Sequence, residues 1–167
     1  MPLTLIKPTF EQVIQQHRGI LFKVANTYCH DTEDRKDVLQ EMMVQLWRSY
    51  ERYNGTAKLS TWIYSIVLNV AISFYRKNSG KSKATQTIDD DAHHTANTET
   101  NPDKEEQLTR LEQFISELKE LDKALILLYL DEKPQREIAE ILGITETNVA
   151  TKIARIKQKL RQRFNNN

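Results

Sequence analysis

Apolar residues recur along most of the chain at steps of three and four positions, which is the spacing of one face of an α-helix. No segment shows the sustained alternation of apolar and polar residues that indicates a β-strand. The first helical face contains Phe10, Val13, Ile14, His17, Leu21, Val24 and Tyr28. The second begins near Thr32 and contains Leu39, Met42, Met43, Leu46, Trp47 and Tyr50. The third follows a predicted N-cap at Ser60 and contains Ile63, Ile66, Val67, Val70 and Phe74. These faces predict three or four packed helices.

The pattern then stops over residues 78–107. This stretch contains one large aliphatic residue, Ile88, and no aromatic residue, and it carries a net charge of −4. It cannot bury enough apolar surface to offset the entropy of ordering its backbone. We therefore predict a flexible acidic linker over residues 78–107, which separates one small domain at residues 1–77 from another at residues 108–167.

Helical periodicity resumes after the linker in two stripes, Leu108, Leu111, Phe114, Ile115, Leu118 and then Leu121, Leu125, Leu128, Tyr129. Pro134 suits the first turn of the next helix. Gly143 then separates two helical patterns, since glycine accepts the positive φ of a tight corner and the small Ala139 lets the helices approach. Thr145 is the predicted N-cap of the last helix. The predicted fold class is all-α, with two small helical domains and a helix-turn-helix in the C-terminal one.

Charge is distributed unevenly behind a net value of +1 for the 167 residues. Residues 1–77 carry +3, and the last helix carries six basic residues against the single acid Glu146: Lys152, Arg155, Lys157, Lys159, Arg161 and Arg163. Such an asymmetry is expected of a surface that meets phosphates. The predicted outward side of that helix also bears groups that can bond base edges, so we predict DNA contacts by Thr145, Thr147, Asn148, Thr151, Lys152, Arg155 and Lys159. A merely solvated helix face would have a similar composition.

Other chemistry has little support. Cys29 is the only cysteine, so no internal disulfide can form and a reducing compartment is expected. Neither a cleavable leader nor a run long enough to span a membrane is seen, which predicts a soluble cytoplasmic protein without membrane insertion. His93 and His94 fall in the predicted linker, and Cys29 with His30 lacks further zinc ligands. We expect no metal, no cofactor, no small-molecule substrate and no enzymatic activity.

A helical domain, an acidic linker and a helix-turn-helix domain follow one another here, and this order resembles the extracytoplasmic-function (ECF) class of bacterial sigma factors. The resemblance covers about residues 10–77 and 108–164. It implies that the protein binds core RNA polymerase and promoter DNA, and that an anti-sigma factor sequesters it. It also implies that the last helix inserts into the major groove of the minus-35 element.

The segment "DVLQEMMVQLW" (Asp37–Trp47) is similar to the helix by which this class docks on the clamp helices of the largest polymerase subunit. Helical spacing alone places four polar residues of this set on one face, which a solvated surface would also show. The polymerase-binding residues that the resemblance implies are Asp37, Gln40, Glu41, Gln45 and Trp47.

The segment "STWIYSIVLNVAISFYRKN" (Ser60–Asn78) resembles the part that melts and reads the minus-ten element, with the preceding loop as a pocket for a flipped base. The residues implied to contact minus-ten DNA are Asn54, Lys58, Trp62, Tyr64, Asn69, Ser73, Arg76 and Lys77. Trp62 and Tyr64 would fit a hydrophobic core equally well.

Two other functions fit parts of the sequence. One is a stand-alone helix-turn-helix regulator whose N-terminal domain senses a ligand or dimerises. The other is a protein-interaction module held by an inhibitory partner. The aromatic and polar segment from Ser60 to Lys77 favours the sigma factor over the plain regulator.

Overall fold

Seven helices make up the residues that the computed structural model describes, 7–79 and 101–166. They are α1 (Phe10–Tyr28), α2 (Thr32–Tyr50), α3 (Leu59–Ser79), α4 (Pro102–Ser116), α5 (Glu120–Leu130), α6 (Gln135–Leu142) and α7 (Glu146–Asn165). The all-α fold class is confirmed. We call α1–α3 the N-terminal unit and α4–α7 the C-terminal unit.

Most helix starts are set by a side chain that accepts a hydrogen bond from a free backbone amide. Thr9 and Gln12 form a capping box at α1, and the Asp31 side chain accepts from the Asp34 amide at α2. The predicted cap at Ser60 is wrong, because α3 begins one residue earlier, at Leu59. The Ser60 hydroxyl instead accepts a hydrogen bond from Lys133 Nζ at 3.3 Å.

The N-terminal unit packs around residues without any solvent exposure, among them Val13, Val24, Val38, Met42, Leu46, Ile63 and Val67. The buried residues of α2 recur at steps of four from Val38 to Tyr50. The sequence also predicts Trp47 in this buried face, but its side chain is 65% exposed. Because Trp47 follows Leu46 by about 100° around the helix, it leaves the face that contacts α1 and α3.

The C-terminal unit is organised by the corner between α6 and α7. Gly143 has φ 67° and ψ 33°, and its amide and that of Ile144 both donate to the Ala139 carbonyl. Thr145 Oγ1 then accepts from the Asn148 amide at 3.1 Å and caps α7, as predicted. Ile138, Val149, Ile153 and Ile156 are buried beneath this corner, so the predicted helix-turn-helix is confirmed.

The linker predicted at residues 78–107 begins and ends in helix. Asn78 and Ser79 belong to the last turn of α3, and residues 102–107 form the first turns of α4, with Asn101 as N-cap and Pro102 at the first position. The intervening residues 80–100, which include Ile88, His93 and His94, lie outside the described residues.

The two units are in contact, and their buried residues form one continuous cluster. α3 packs against α5 and α6, and α1 packs against α5. Lys123 of α5 is 1% exposed, with its Nζ 4.6 Å from the ring centroid of Tyr75 and 5.8 Å from that of Tyr28. Burial lowers the pKa of Lys123, because an ammonium is stabilised less by this interior than by water.

Asp131, just after α5, is the main polar junction between the units. Its Oδ1 accepts from Lys23 Nζ at 2.9 Å and its Oδ2 accepts from Tyr64 Oη at 2.7 Å. Burial by itself raises the pKa of Asp131, but these two hydrogen bonds outweigh it and hold the pKa below its ordinary value. The carboxylate therefore stays charged at neutral pH and links α1, α3 and the end of α5.

Replacing Gly143 with Ala should lower the free energy of unfolding by about 1 kcal/mol or more, because a Cβ strains a left-handed backbone. Gly19→Ala is the matched control. Gly19 lies inside α1, where an added methyl group would meet open space and φ is not positive. Alanine there should raise stability by about 1 kcal/mol. Urea unfolding followed by circular dichroism measures both, and equal effects of the two variants would contradict the role of the corner.

Asp131→Asn should destabilise the protein in a pH-dependent manner. A carboxylate whose folded pKa is depressed contributes stability above its unfolded pKa, which is near 3.8, and loses it as pH falls through the folded pKa. The difference in unfolding free energy between the protein and the variant should therefore be constant above about pH 5 and shrink at lower pH. Urea unfolding at a series of pH values tests this. A difference that grows on acidification would contradict it.

Candidate polymerase and nucleic-acid surfaces

A groove of about 680 Å³ runs between α2 and α3 of the N-terminal unit. Three predicted polymerase-binding residues line one wall, Asp37, Glu41 and Gln45, and three predicted minus-ten residues line the other, Asn69, Ser73 and Lys77. The apolar side chains of Ile66, Val70 and Phe74 also contribute to the groove. The sequence assigns these two residue sets to different partners. The structure places both sets on one surface.

The α2 wall of this groove is a row of acidic and amide side chains one turn apart. Gln45 Nε2 donates to Glu41 Oε1 at 2.9 Å, which fixes the orientation of both side chains. Gln40 is exposed but does not line the groove, and neither does Trp47, which lies seven residues further along the same side of α2. The five predicted docking residues therefore occupy two flanks of α2 rather than one.

The loop between α2 and α3 is supported by aromatic side chains. Trp62 is partly buried, with its ring centroid 5.2 Å from that of Tyr53 and 6.0 Å from that of Tyr50. The Tyr53 hydroxyl donates to the Ala57 carbonyl, so the same aromatic cluster ties down the loop. Asn54 is exposed, and its Oδ1 accepts from the backbone amide and the hydroxyl of Thr56.

Tyr64 does not lie on a DNA-accessible surface, and the prediction of a direct contact is wrong for this conformation. Its side chain has no solvent exposure. Burial and the hydrogen bond to Asp131 both raise the pKa of its hydroxyl. α3 packs against α1 and α2 with one face and against the C-terminal unit with the adjacent face. It therefore buries a set of hydrophobic residues: Ile63, Tyr64, Val67, Leu68 and Ala71.

Two further predicted minus-ten residues contact the C-terminal unit. Lys58 Nζ lies 2.9 Å from Glu137 Oε1, and Arg76 Nε lies 3.1 Å from Glu120 Oε1. The hydrogen bond from Arg76 helps to hold the pKa of Glu120 below its ordinary value, behind a larger effect of the backbone at Glu120 itself. Both cations remain mostly exposed, at 75% for Lys58 and 67% for Arg76.

α7 presents the predicted minus-35 residues on its outer side. Thr147, Asn148, Thr151, Arg155 and Lys159 are exposed, whereas Lys152 is partly buried. The Thr151 hydroxyl donates to the Thr147 carbonyl at 3.0 Å, which leaves its oxygen as an acceptor. Thr145 is exposed, but its oxygen already accepts the capping bond. The face therefore combines an amide, hydroxyl oxygens and cations next to a helix N-terminus.

Two of the six basic residues in α7 have structural contacts instead. Arg163 forms a two-pronged ion pair with Glu117, and its carbonyl accepts from Arg110. Lys157 Nζ lies 4.4 Å from the ring centroid of Tyr129. These contacts attach the end of α7 to α4 and α5, so charge counting overstates the cations that face outward.

Sequence reasoning missed the acidic residues that meet the N-terminal unit: Glu120, Asp131 and Glu137. Nothing in their local pattern distinguishes them from solvated acids. Tyr53 was also missed, although an aromatic residue directly before the Asn54-Gly55 turn is a signal that the loop is anchored.

Within the described residues, no group of three or more His, Cys, Asp and Glu could hold a metal ion, and no helix has the length and hydrophobicity to cross a membrane. Cys29 is buried. Burial raises the pKa of its thiol to about 11, so the thiol is protonated at neutral pH.

Comparison with known proteins agrees with this geometry. The family profile for sigma-70 region 2 matches residues 13–81, and that for sigma-70 region 4 matches residues 108–160. The first match covers the N-terminal unit with its groove, and the second covers most of the C-terminal unit, including the helix-turn-helix.

Three relatives of similar length are sigma factors of Bacillus subtilis (strain 168). RNA polymerase sigma factor YlaC is 28% identical over 165 residues, covering 94% of this chain and 90% of its own. RNA polymerase sigma factor SigV is 26% identical, covering 89% and 86%. ECF RNA polymerase sigma factor SigM is 25% identical, covering 94% and 96%.

Solved structures show the same fold. The sigma factor RpoE of Bartonella quintana, in complex with the anti-sigma factor NepR, has a TM-score of 0.71 at 16% identity, covering 95% of this chain and 98% of its own. CnrH, in complex with the cytosolic domain of CnrY, has a TM-score of 0.66 at 20% identity, covering 93% and 87%. The chain therefore belongs to the sigma-70 family, and within it to the ECF class of sigma factors, which are non-enzymatic subunits that direct RNA polymerase to promoters.

Proposed function

We propose that this sigma factor docks on core RNA polymerase through α2, reads the minus-ten element with α3 and the loop before it, and reads the minus-35 element with α7. The observation that carries the proposal is the outer side of α7. There an exposed amide, two threonines and two cations follow a capped corner that belongs to a helix-turn-helix.

Docking rests on the polar row Asp37, Glu41 and Gln45 together with Gln40 and Trp47. Trp47 is an exposed aromatic residue, which is a typical anchor of a protein interface. The carboxylates complement a basic partner, and they speed association more than they strengthen the final complex.

Minus-ten recognition is assigned to the exposed or partly exposed residues Asn54, Lys58, Trp62, Asn69, Ser73, Arg76 and Lys77. Asn54 and Trp62 would receive an unstacked base, since reading a melted strand needs a pocket and an aromatic face. The cations at 58, 76 and 77 would follow the phosphates. Tyr64 supports α3 from inside and takes no part in base contact.

Minus-35 recognition is assigned to Thr147, Asn148 and Thr151 for base edges and to Lys152, Arg155 and Lys159 for phosphates. Thr145 orients the helix N-terminus toward a phosphate through its cap. Bound to one polymerase, the two units act together, because the chain that joins them makes the second binding event intramolecular and the combined affinity exceeds that of either unit alone.

An anti-sigma factor is the proposed regulator. RpoE of Bartonella quintana has been solved with one, and this chain shares that fold over nearly its whole length. The proposed location is the cytoplasm, because that is where bacterial promoters and polymerase are found. The free, buried thiol of Cys29 suits a reducing compartment.

Core polymerase plus this protein should start transcription at defined sites of a genomic DNA library, mapped by sequencing transcript ends. Specific duplex binding without any need for core polymerase would instead indicate a stand-alone regulator.

Glu41→Lys should lower affinity for core polymerase by about tenfold or more through charge repulsion. Glu51→Lys is the matched control at the end of the same helix, because Glu51 is exposed and outside the groove. Fluorescence anisotropy of labelled protein titrated with core polymerase measures both affinities. Equal loss in both variants would contradict docking through this face.

Variants of α7 should separate base contacts from phosphate contacts. Asn148→Ala should cost about 1 to 3 kcal/mol on the preferred promoter and relax sequence preference at one position. Lys159→Gln should weaken binding about equally on all sequences. It should also lower the number of counterions released on binding, measured from the slope of log affinity against log salt concentration, by about one. Promoter binding by the holoenzyme, measured by fluorescence anisotropy at several salt concentrations, gives both values. Unchanged affinity in both variants would remove α7 from recognition.

A further inference from the structure

Within the described residues, all three ion pairs between the two units have the same polarity. The cations Lys23, Lys58 and Arg76 belong to the N-terminal unit, and the carboxylates Asp131, Glu137 and Glu120 belong to the C-terminal unit. Two other ion pairs, Lys36 with Glu33 and Arg163 with Glu117, lie within one unit. The contact is therefore a row of anions placed against a row of cations.

Two of the three carboxylates are much less exposed than their partners. Glu137 is 18% exposed and Glu120 is 30% exposed, whereas Lys58 and Arg76 are exposed over most of their side chains. DNA phosphates hold lysine and arginine by the same kind of charge-assisted hydrogen bond to an oxygen anion. Phosphate oxygens could thus replace the carboxylates as partners of Lys58, which directly precedes α3, and of Arg76 near the end of α3.

We infer that Glu120 and Glu137 act as built-in substitutes for DNA phosphates, which hold the minus-ten cations Arg76 and Lys58 until promoter DNA displaces them. The inference rests on the proposed minus-ten role of those two cations. It makes the contact between the units a competitor of single-stranded DNA. α7 lies outside this competition, since its recognition side is exposed while the units are in contact.

Two further groups complete the contact. Lys133 of the C-terminal unit donates to Ser60 Oγ and lies 5.7 Å from the Tyr64 ring centroid, so this cation has two uncharged partners in the N-terminal unit. Asp131 is bonded to the buried Tyr64 as well as to Lys23. Neither Lys23 nor Tyr64 is assigned to DNA in the proposed function, so Asp131 keeps the units together and is not part of the competition.

The test compares Glu120→Gln/Glu137→Gln with Glu112→Gln/Glu140→Gln in the full chain. Both pairs remove two negative charges, but Glu112 and Glu140 are exposed and outside the ion pairs between the units. The probe is a fluorescent 20-nucleotide single strand of mixed sequence, without polymerase. The first pair should raise affinity for it by about fivefold, because two exposed ion pairs no longer compete. The second pair should raise it by less than about twofold. Equal gains would show a general charge effect and overturn the inference.

A distance measurement shows, without DNA, whether the two units are in contact. Spin labels at Lys36→Cys and Gln158→Cys, in a Cys29→Ala background, report the separation of α2 from α7. Reversing both acids, Glu120→Lys/Glu137→Lys, should populate longer distances, and Glu112→Lys/Glu140→Lys should not. Thermal unfolding verifies that every variant is folded. No change of distance under reversal would overturn the inference.

Lys58→Gln/Arg76→Gln separates this inference from the proposed function. If that pair loses affinity for the single strand, the minus-ten assignment stands. The inference then fails if the Glu→Gln pair brings no gain in affinity. If the Lys58→Gln/Arg76→Gln variant keeps full affinity for the single strand, the minus-ten assignment of these cations is wrong, and the inferred competition is wrong as well.

Discussion

Charge complementarity between the two helical units is the interaction on which this conformation depends. The apolar faces of α1, α3, α5 and α6 bring the units together, but apolar contact alone is not directional. The ion pairs and the hydrogen bonds at Asp131 select one orientation, because each carboxylate has a defined partner across the contact. Each exposed ion pair contributes little to the free energy of association. The ion pairs therefore favour this orientation of the units but do not make it permanent.

The groove between α2 and α3 places the proposed polymerase-docking and promoter-reading residues on adjacent walls. Asp37, Glu41 and Gln45 face Asn69, Ser73 and Lys77 across it. A partner that approaches α2 closely will therefore also affect α3. Under the proposed function, one small helical unit serves both the enzyme and the DNA. Its helices form the core with one side and carry the two proposed binding walls on the other.

Local patterns predicted much of the fold, since helix faces, the Gly143 corner and the Thr145 cap are each decided by neighbouring residues. The outward side of α7 followed from the same periodicity. Trp47 was placed wrongly, and Tyr64 was left open between a DNA contact and the core, for a common reason. An amphipathic pattern shows that a residue is apolar, but it does not show how many other helices its own helix contacts. α3 contacts two units and buries Tyr64, whereas α2 leaves Trp47 in solvent. The acids at positions 120, 131 and 137 acquire partners only through tertiary structure, so no sequence pattern could identify them.

Lys123 sets a limit on how permanent the association of the units can be. Its ammonium sits between the rings of Tyr28 and Tyr75, almost without solvent contact. Aromatic faces attract a cation, but they replace only part of its hydration. When the units separate, that ammonium returns to water and recovers the hydration it gave up, which offsets part of the apolar area newly exposed. An aliphatic residue at this position would raise the free energy needed to separate the two units, whereas the buried lysine lowers it.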